Sequence, residues 1–244
     1  MKTNSKHRRL VVPVVLTAVV LVLVIAAGIY FGTYYHAGDE AIASMKSDDT
    51  VTVSIIDGGT LFDGPSDDTA IVFYPGAKVD SAAYAPILHE IAARDADVFL
   101  LDMPLHMAVF DIDAADSIRN TYSYDHWYMA GHSMGAAMAS VYVSDHLDEY
   151  DGIILLAGYP AADLHRDGFR CLSIYGTNDL DPASQKKNEE DFPEDTTFVT
   201  LDGGNHAGFA DYGPQKGDGT ATISKQQQWT ETEQWILTFL RMGD

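Results

Sequence analysis

Cysteine is almost missing: Cys171 is the single one in 244 residues. That excludes a scaffold stapled by disulfides and a zinc site built on several thiolates. Basic residues are scarce as well, 15 Lys and Arg against 36 Asp and Glu, for a formal net charge of −21. Too little positive surface remains to neutralise phosphates, so a nucleic-acid partner is excluded. There is no His-Glu-x-x-His, no Walker glycine loop, no dinucleotide-binding glycine fingerprint and no cluster of His and Asp ligands, so neither metal nor cofactor is expected. Internal repeats and long low-complexity tracts are also absent. What is present is 46% hydrophobic and 11% aromatic residues, too apolar for a disordered acidic polymer, in a length suited to one domain of ordinary size.

The charge is unevenly placed. Lys2, Lys6, Arg8 and Arg9 form a basic tip, and no acid precedes Asp39. The chain after Arg9 therefore carries 36 acids against eleven bases, a net of −25. Between tip and body, residues 10–32 hold no charge; as a helix this run spans roughly 34 Å, enough for a bilayer core of about 30 Å. Pro13 is expected in the first turn, and Tyr30, Tyr34 and Tyr35 gather at the far end, where amphipathic rings favour the interface. A cleaved signal peptide competes with a retained anchor, but its apolar region usually runs only about 7–15 residues, and Ala26-Ala27-Gly28 is a poor cleavage site. A buried core helix is the third alternative. The positive-inside rule puts residues 1–9 in the cytoplasm and the acidic body outside the cell membrane. Residues 33–50, small, polar and Asp-rich, read as a linker, and residues 51–244 as the folded domain.

Within that domain, residues 51–57 alternate apolar and polar and meet Gly58-Gly59, a hairpin signal. Short apolar strands follow at 70–74, 98–101, 127–130, 152–157, 171–175 and 197–201. Helical spacing appears over 81–94 with Ser81 as N-cap, and over 114–120, 133–146, 182–191 and 224–242. Continuously apolar strands alternating with helices predict an α/β fold whose mostly parallel sheet is covered by helices on both faces. Ligands of such sheets bind beyond the carboxyl ends of the strands.

The residues that carry chemistry fall there. Gly131-His132-Ser133-Met134-Gly135 matches G-x-S-x-G between a predicted strand and a predicted helix, the context in which glycines let a sharp turn expose a nucleophilic hydroxyl. A serine needs a base, and His206, after the last strand, is best placed; His132, next to the nucleophile, should turn its side chain away, as a structural or pocket-lining residue. The base needs an orienting carboxylate: Asp179 after the 171–175 strand, with Asp163 and Asp181 as alternatives. The oxyanion expected in acyl transfer needs two amide donors: Met134 directly after the nucleophile, and Ala77 on the loop after the 70–74 strand, with Gly76 second. Between Ser133 and Asp179 there is room for a helix, a strand and connectors but not for a large lid domain. The Gly-rich stretch 211–220, close after His206, is expected either to rim the pocket or to be a solvated loop. Cys171 is expected as a small core residue.

Gly131 to Gly135, residues 74–80 followed by Tyr84-Ala85-Pro86, residues 173–179 and residues 203–224 together resemble the α/β-hydrolase fold-5 group. That group is related to dienelactone hydrolases and includes many membrane-anchored bacterial proteins. The resemblance covers residues 51–240 and implies the α/β-hydrolase fold with a Ser-Asp-His triad. It differs from dienelactone hydrolases proper in carrying Ser133 where they carry Cys. The expectation is a membrane-anchored, extracytoplasmic serine hydrolase acting on a small ester-like substrate. An acyltransferase using the same triad and a non-catalytic surface binding domain are the alternatives.

Overall fold

The computed structural model describes residues 4–182 and 188–242, without the side chains of residues 4–12 and 14. The chain divides into two units, Met1–Tyr34 and Tyr35–Asp244. The first holds one helix, α1 (Asn4–Gly32). Its Val15–Gly32 stretch, of mean hydropathy 2.6 and with none of it buried, is long and apolar enough to cross a membrane. Because the helix starts at Asn4, Pro13 lies inside it and not in the first turn.

The second unit is built on one eight-stranded sheet: β1 (Thr52–Ile56), β2 (Gly59–Asp63), β3 (Thr69–Tyr74), β4 (Asp97–Leu101), β5 (His126–His132), β6 (Gly152–Leu156), β7 (Arg170–Gly176) and β8 (Asp195–Leu201). Their order is β1-β2-β4-β3-β5-β6-β7-β8. The expected hairpin is the antiparallel pair β1–β2, closed at Ile56↔Gly59 around Gly58, whose φ of 80° suits glycine. β2 also meets β4 antiparallel, and every pairing from β4 to β8 is parallel. All residues of β3, β4 and β6 are buried, because both faces of the sheet are covered.

Alternate residues feed two cores. Ile71 and Phe73 point to the side where α3 (Ala85–Ala92) and α6 (Lys225–Arg241) pack, with Leu88, Trp229 and Phe239. Val72 and Tyr74 point to the side of α4 (Ala115–Arg119) and α5 (Met134–Ser144), with Trp127, Tyr142 and Val143. Cys171 is fully buried in β7, and burial pushes its thiol pKa up, as suits an inert core residue.

Three local readings change. The chain over 81–94 opens as a 3-10 turn, Ser81–Tyr84, before α3, and the cap is Asp80, whose carboxylate accepts from Ala82 N–H; the Ser81 hydroxyl donates to Asp102 instead. Half of the helix expected over 182–191, residues 183–187, lies outside the described residues, and its end, Glu189–Asp191, is a 3-10 turn. The stretch read as a linker belongs, from Tyr35 onward, to the folded unit and contains α2 (Asp39–Ser44). It is tied by Gly38 N–H to Asp211 C=O at 2.6 Å and by Ala41 N–H to the Asp211 carboxylate at 3.0 Å. Tyr35, expected with an interfacial belt, bridges to Val79 and packs against Tyr212.

Candidate active site

Five parallel strands deliver the site from their carboxyl ends. β5 runs straight into Ser133, whose φ of 55° and ψ of −120° lie outside the regions that side chains favour. The neighbouring glycines make this turn possible. A Cβ on Gly135 would lie 2.2 Å from Tyr74 C=O, and one on Gly131 would lie 2.6 Å from Ala136 N. The Ser133 amide is held by Leu156 C=O of β6 at 2.9 Å, and α5 begins at the next residue. The elbow is thus locked between β3 and β6 with its side chain at the start of a helix, where the dipole favours negative charge.

The loops after β7 and β8 are zipped together. Thr177 N–H donates to Leu201 C=O at 3.0 Å, Asn178 N–H to Gly204 C=O at 2.9 Å, and Gly203 N–H to the Thr177 hydroxyl at 2.8 Å. This brings Asp179 to His206, with Asp179 Oδ1 at 2.9 Å from His206 Nδ1; both side chains are buried. Of the alternative acids, Asp163 pairs with His165 on the surface, whereas Asp181 lines the cavity that also holds Asp179 and His206. His206 Nε2, the other ring nitrogen, is buried without a hydrogen-bond partner among the described residues.

Ser133, Asp179 and His206 share one cavity of about 380 Å³. Its remaining wall is mostly apolar: Met134, Met138, Tyr159 and Leu180. Between Ser133 and Asp179 the chain contributes α5, β6 and β7 with their connections and no inserted domain. Of the proposed oxyanion donors, Gly76 is already used, because its N–H donates to the Tyr84 hydroxyl at 2.9 Å. The amides of Ala77 and Met134 have no acceptor among the described residues.

Several supporting residues carried no recognisable signal. Gln228 on α6 accepts from Asn205 N–H at 3.1 Å and donates to Asn205 C=O at 2.8 Å. Asp218 accepts from the amides of His206, at 3.1 Å, and Ala207, at 2.8 Å. The 211–220 loop therefore braces the His206 turn from behind, and none of its residues lines the cavity. His132 does not line the cavity either; it is buried between Tyr84 and the His206 backbone. Among the described residues no group of His, Cys, Asp and Glu is arranged to hold a metal ion.

The model of a family described as the alpha/beta hydrolase family matches residues 70–230. No curated protein matches the sequence. Among solved structures, Est1E from Butyrivibrio proteoclasticus superposes with a TM-score of 0.52 at 14% identity, covering 78% of this chain and 98% of its own. Dienelactone hydrolase from Anabaena variabilis gives 0.54 at 12% identity over 78% of this chain and 98% of that one. Carboxyl esterase 2 from Tuber melanosporum gives 0.53 at 11% identity over 83% and 90%. At these identities the likeness is one of fold.

Proposed function

The chain belongs to the alpha/beta hydrolase family, and from that premise we propose that it is a serine hydrolase of carboxylic esters working through an acyl-enzyme. The observation that carries this reading is the cavity that Ser133, on its strained turn, shares with His206, whose Nδ1 is bonded to Asp179 while Nε2 has no partner among the described residues. The carboxylate holds the Nδ1–H tautomer, which leaves Nε2 as the atom able to take a proton.

In the proposed reaction, Nε2 of His206 takes the Ser133 proton as Oγ attacks the ester carbonyl. The carbonyl oxygen becomes an oxyanion, and the amides of Met134 and Ala77 donate to it. His206 then gives its proton to the departing alcohol, which leaves the acyl group on Ser133. Water attacks the acyl-enzyme with His206 again as base, and the acid is released as the serine is restored. Asp179 orients the imidazole and stabilises its cation throughout. The apolar wall of Met134, Met138, Tyr159 and Leu180 suits the uncharged part of a small ester, and a structural neighbour named as a carboxyl esterase supports the substrate class.

The same proposal places the protein at a membrane. The uncharged run 10–32 follows the basic residues Lys2, Lys6, Arg8 and Arg9, so the anchor reading keeps that tip in the cytoplasm and the hydrolase domain outside. The test of the reaction is labelling of the full chain by a fluorophosphonate probe together with turnover of p-nitrophenyl esters. Wild type is expected to label and turn over, and Ser133→Ala to do neither, with a loss on the order of 10⁴–10⁶ in kcat. Absence of labelling in folded wild type would sink the reading.

A further inference from the structure

Behind the cavity, three loops are joined by a single line of hydrogen bonds. Gly76 N–H, on the loop carrying Ala77, donates to Tyr84 Oη at 2.9 Å. Tyr84 Oη lies 2.9 Å from His132 Nδ1, and His132 Nε2 lies 3.1 Å from the backbone oxygen of His206. The line ends in a group that only donates, the Gly76 amide, and a group that only accepts, the His206 carbonyl, so with a neutral His132 every proton on it has one possible place. Tyr84 Oη accepts from Gly76 and must donate to His132 Nδ1. His132 must then carry its proton on Nε2 and donate to His206 C=O.

Burial reinforces this assignment. Tyr84 and His132 are each 1% exposed. Desolvation, and then the neighbouring His206, hold the His132 pKa well below 6.5, and desolvation raises that of the Tyr84 hydroxyl. Both stay neutral beside an imidazole that becomes a cation in the proposed reaction. The fit is tight at the far end as well: a Cβ on Gly76 would come within 2.8 Å of both His132 Nδ1 and Tyr84 Oη. The rings of His132 and His206 pack at 4.6 Å between centroids, with Phe209 on the other flank of His132 at 5.8 Å.

The geometry points to His132, with Tyr84, as a positioning pair that sets the oxyanion-donor loop and the His206 turn at a fixed distance on either side of Ser133. This rests on the serine-hydrolase reading. Neither side chain lines the cavity, so neither touches substrate; both act through the backbone of groups that do. Misplacing catalytic groups by about 1 Å costs on the order of 10² in rate. Interactions that matter only in the transition state appear in kcat with KM unchanged.

The experiment compares His132→Leu, His132→Gln and Tyr84→Phe in the full chain. Turnover of a short p-nitrophenyl ester is normalised to sites titrated with fluorophosphonate, and the melting temperature is measured beside it. A Gln amide offers an acceptor and a donor spaced much as the two ring nitrogens are. His132→Gln is therefore expected to stay within about fivefold of wild-type kcat, Tyr84→Phe to lose about tenfold, and His132→Leu about 100-fold, all with KM within about twofold. A His132→Leu protein with wild-type kcat per titrated site overturns the proposal, as does His132→Gln falling as far as Leu while melting like wild type. If His132→Leu does not fold, the Gln and Phe variants decide alone. Wild type that labels and turns over, with variants unchanged, overturns this pairing only; wild type that does neither overturns the hydrolase reading and the pairing with it.

Discussion

Two groups of residues around Ser133 are built differently. One group, His206, Asp179 and His132, is buried and polar: Asp179 bonds His206 Nδ1 at 2.9 Å, and His132 Nε2 lies 3.1 Å from the His206 backbone oxygen. The other, Met134, Met138, Tyr159 and Leu180, presents largely apolar side chains to the cavity. Buried polar networks specify one geometry because any slip leaves a desolvated group unpaired. Thioether and aliphatic chains tolerate many shapes. The contrast assigns the two tasks of the proposed esterase to a polar and an apolar wall. The polar wall keeps base and oxyanion donors in place, and the apolar wall receives substrates of varied outline.

The sharpest way to break this comparison is to damage the polar wall without changing its shape. Asp179→Asn keeps the volume but removes the charge that holds His206 with its proton on Nδ1. The expected result is a fall of about 10³–10⁴ in kcat for p-nitrophenyl acetate, with the protein folded and KM little altered. Stopped-flow or steady-state kinetics beside circular dichroism checks it. A loss below tenfold would mean that Asp179 is not the orienting acid, and that the polar wall is less specific than its hydrogen bonds imply.

How much of this was legible beforehand follows from the range of the interactions involved. The strands at 70–74, 98–101 and 152–157 were readable because burial on both faces makes them continuously apolar, a local property. The Ser133 turn was readable because its glycines are forced by contacts within a few residues and with one adjacent strand. Residues 35–50 were misread as a tether because their docking depends on Asp211, 170 positions from Ala41, and no local pattern announces such a partner. Ser81 was expected as the cap, but its hydroxyl is drawn away by Asp102, just past the end of β4, and Asp80 caps instead. The Tyr84–His132 bond joins residues 48 apart, so His132 could be expected to turn from the cavity but not to be wired to both flanking loops.

The apolar wall calls for a gentler test. Met138→Trp adds bulk to a cavity of about 380 Å³ without touching a hydrogen bond of the polar wall. Activity toward p-nitrophenyl acetate is expected to stay within about threefold, while kcat/KM for the octanoate falls by about tenfold, since pocket volume discriminates at about 1–3 kcal/mol per methylene-sized change. A profile of ester chain lengths from two to twelve carbons reads this directly. If all chain lengths fell equally, the two walls would not be independent.

The smallest effect lies in how the polar wall responds to acid. The His132 pKa is depressed well below 6.5, chiefly by burial, so the native state refuses a proton that the unfolded chain takes up. Its contribution to stability is therefore complete above pH 6.5 and drains away as pH falls toward the folded-state pKa. The groups that face it are His206 and Tyr84; Asp179 lies one step beyond, bonded to His206. The lowered carboxylates Glu40, Asp48, Asp163 and Asp211 start from 4.5 or 3.8, so they act below the window between pH 4.5 and 6.5. His132→Gln removes the titration and keeps a donor and an acceptor in place. Wild type is expected to lose melting temperature between pH 6.5 and 5, and His132→Gln to lose about 2–4 °C less over the same range. Parallel melting curves for the two proteins would mean that His132 accepts its proton in the folded state without strain, and the polar wall would then be looser on its His132 flank than on its Asp179 flank.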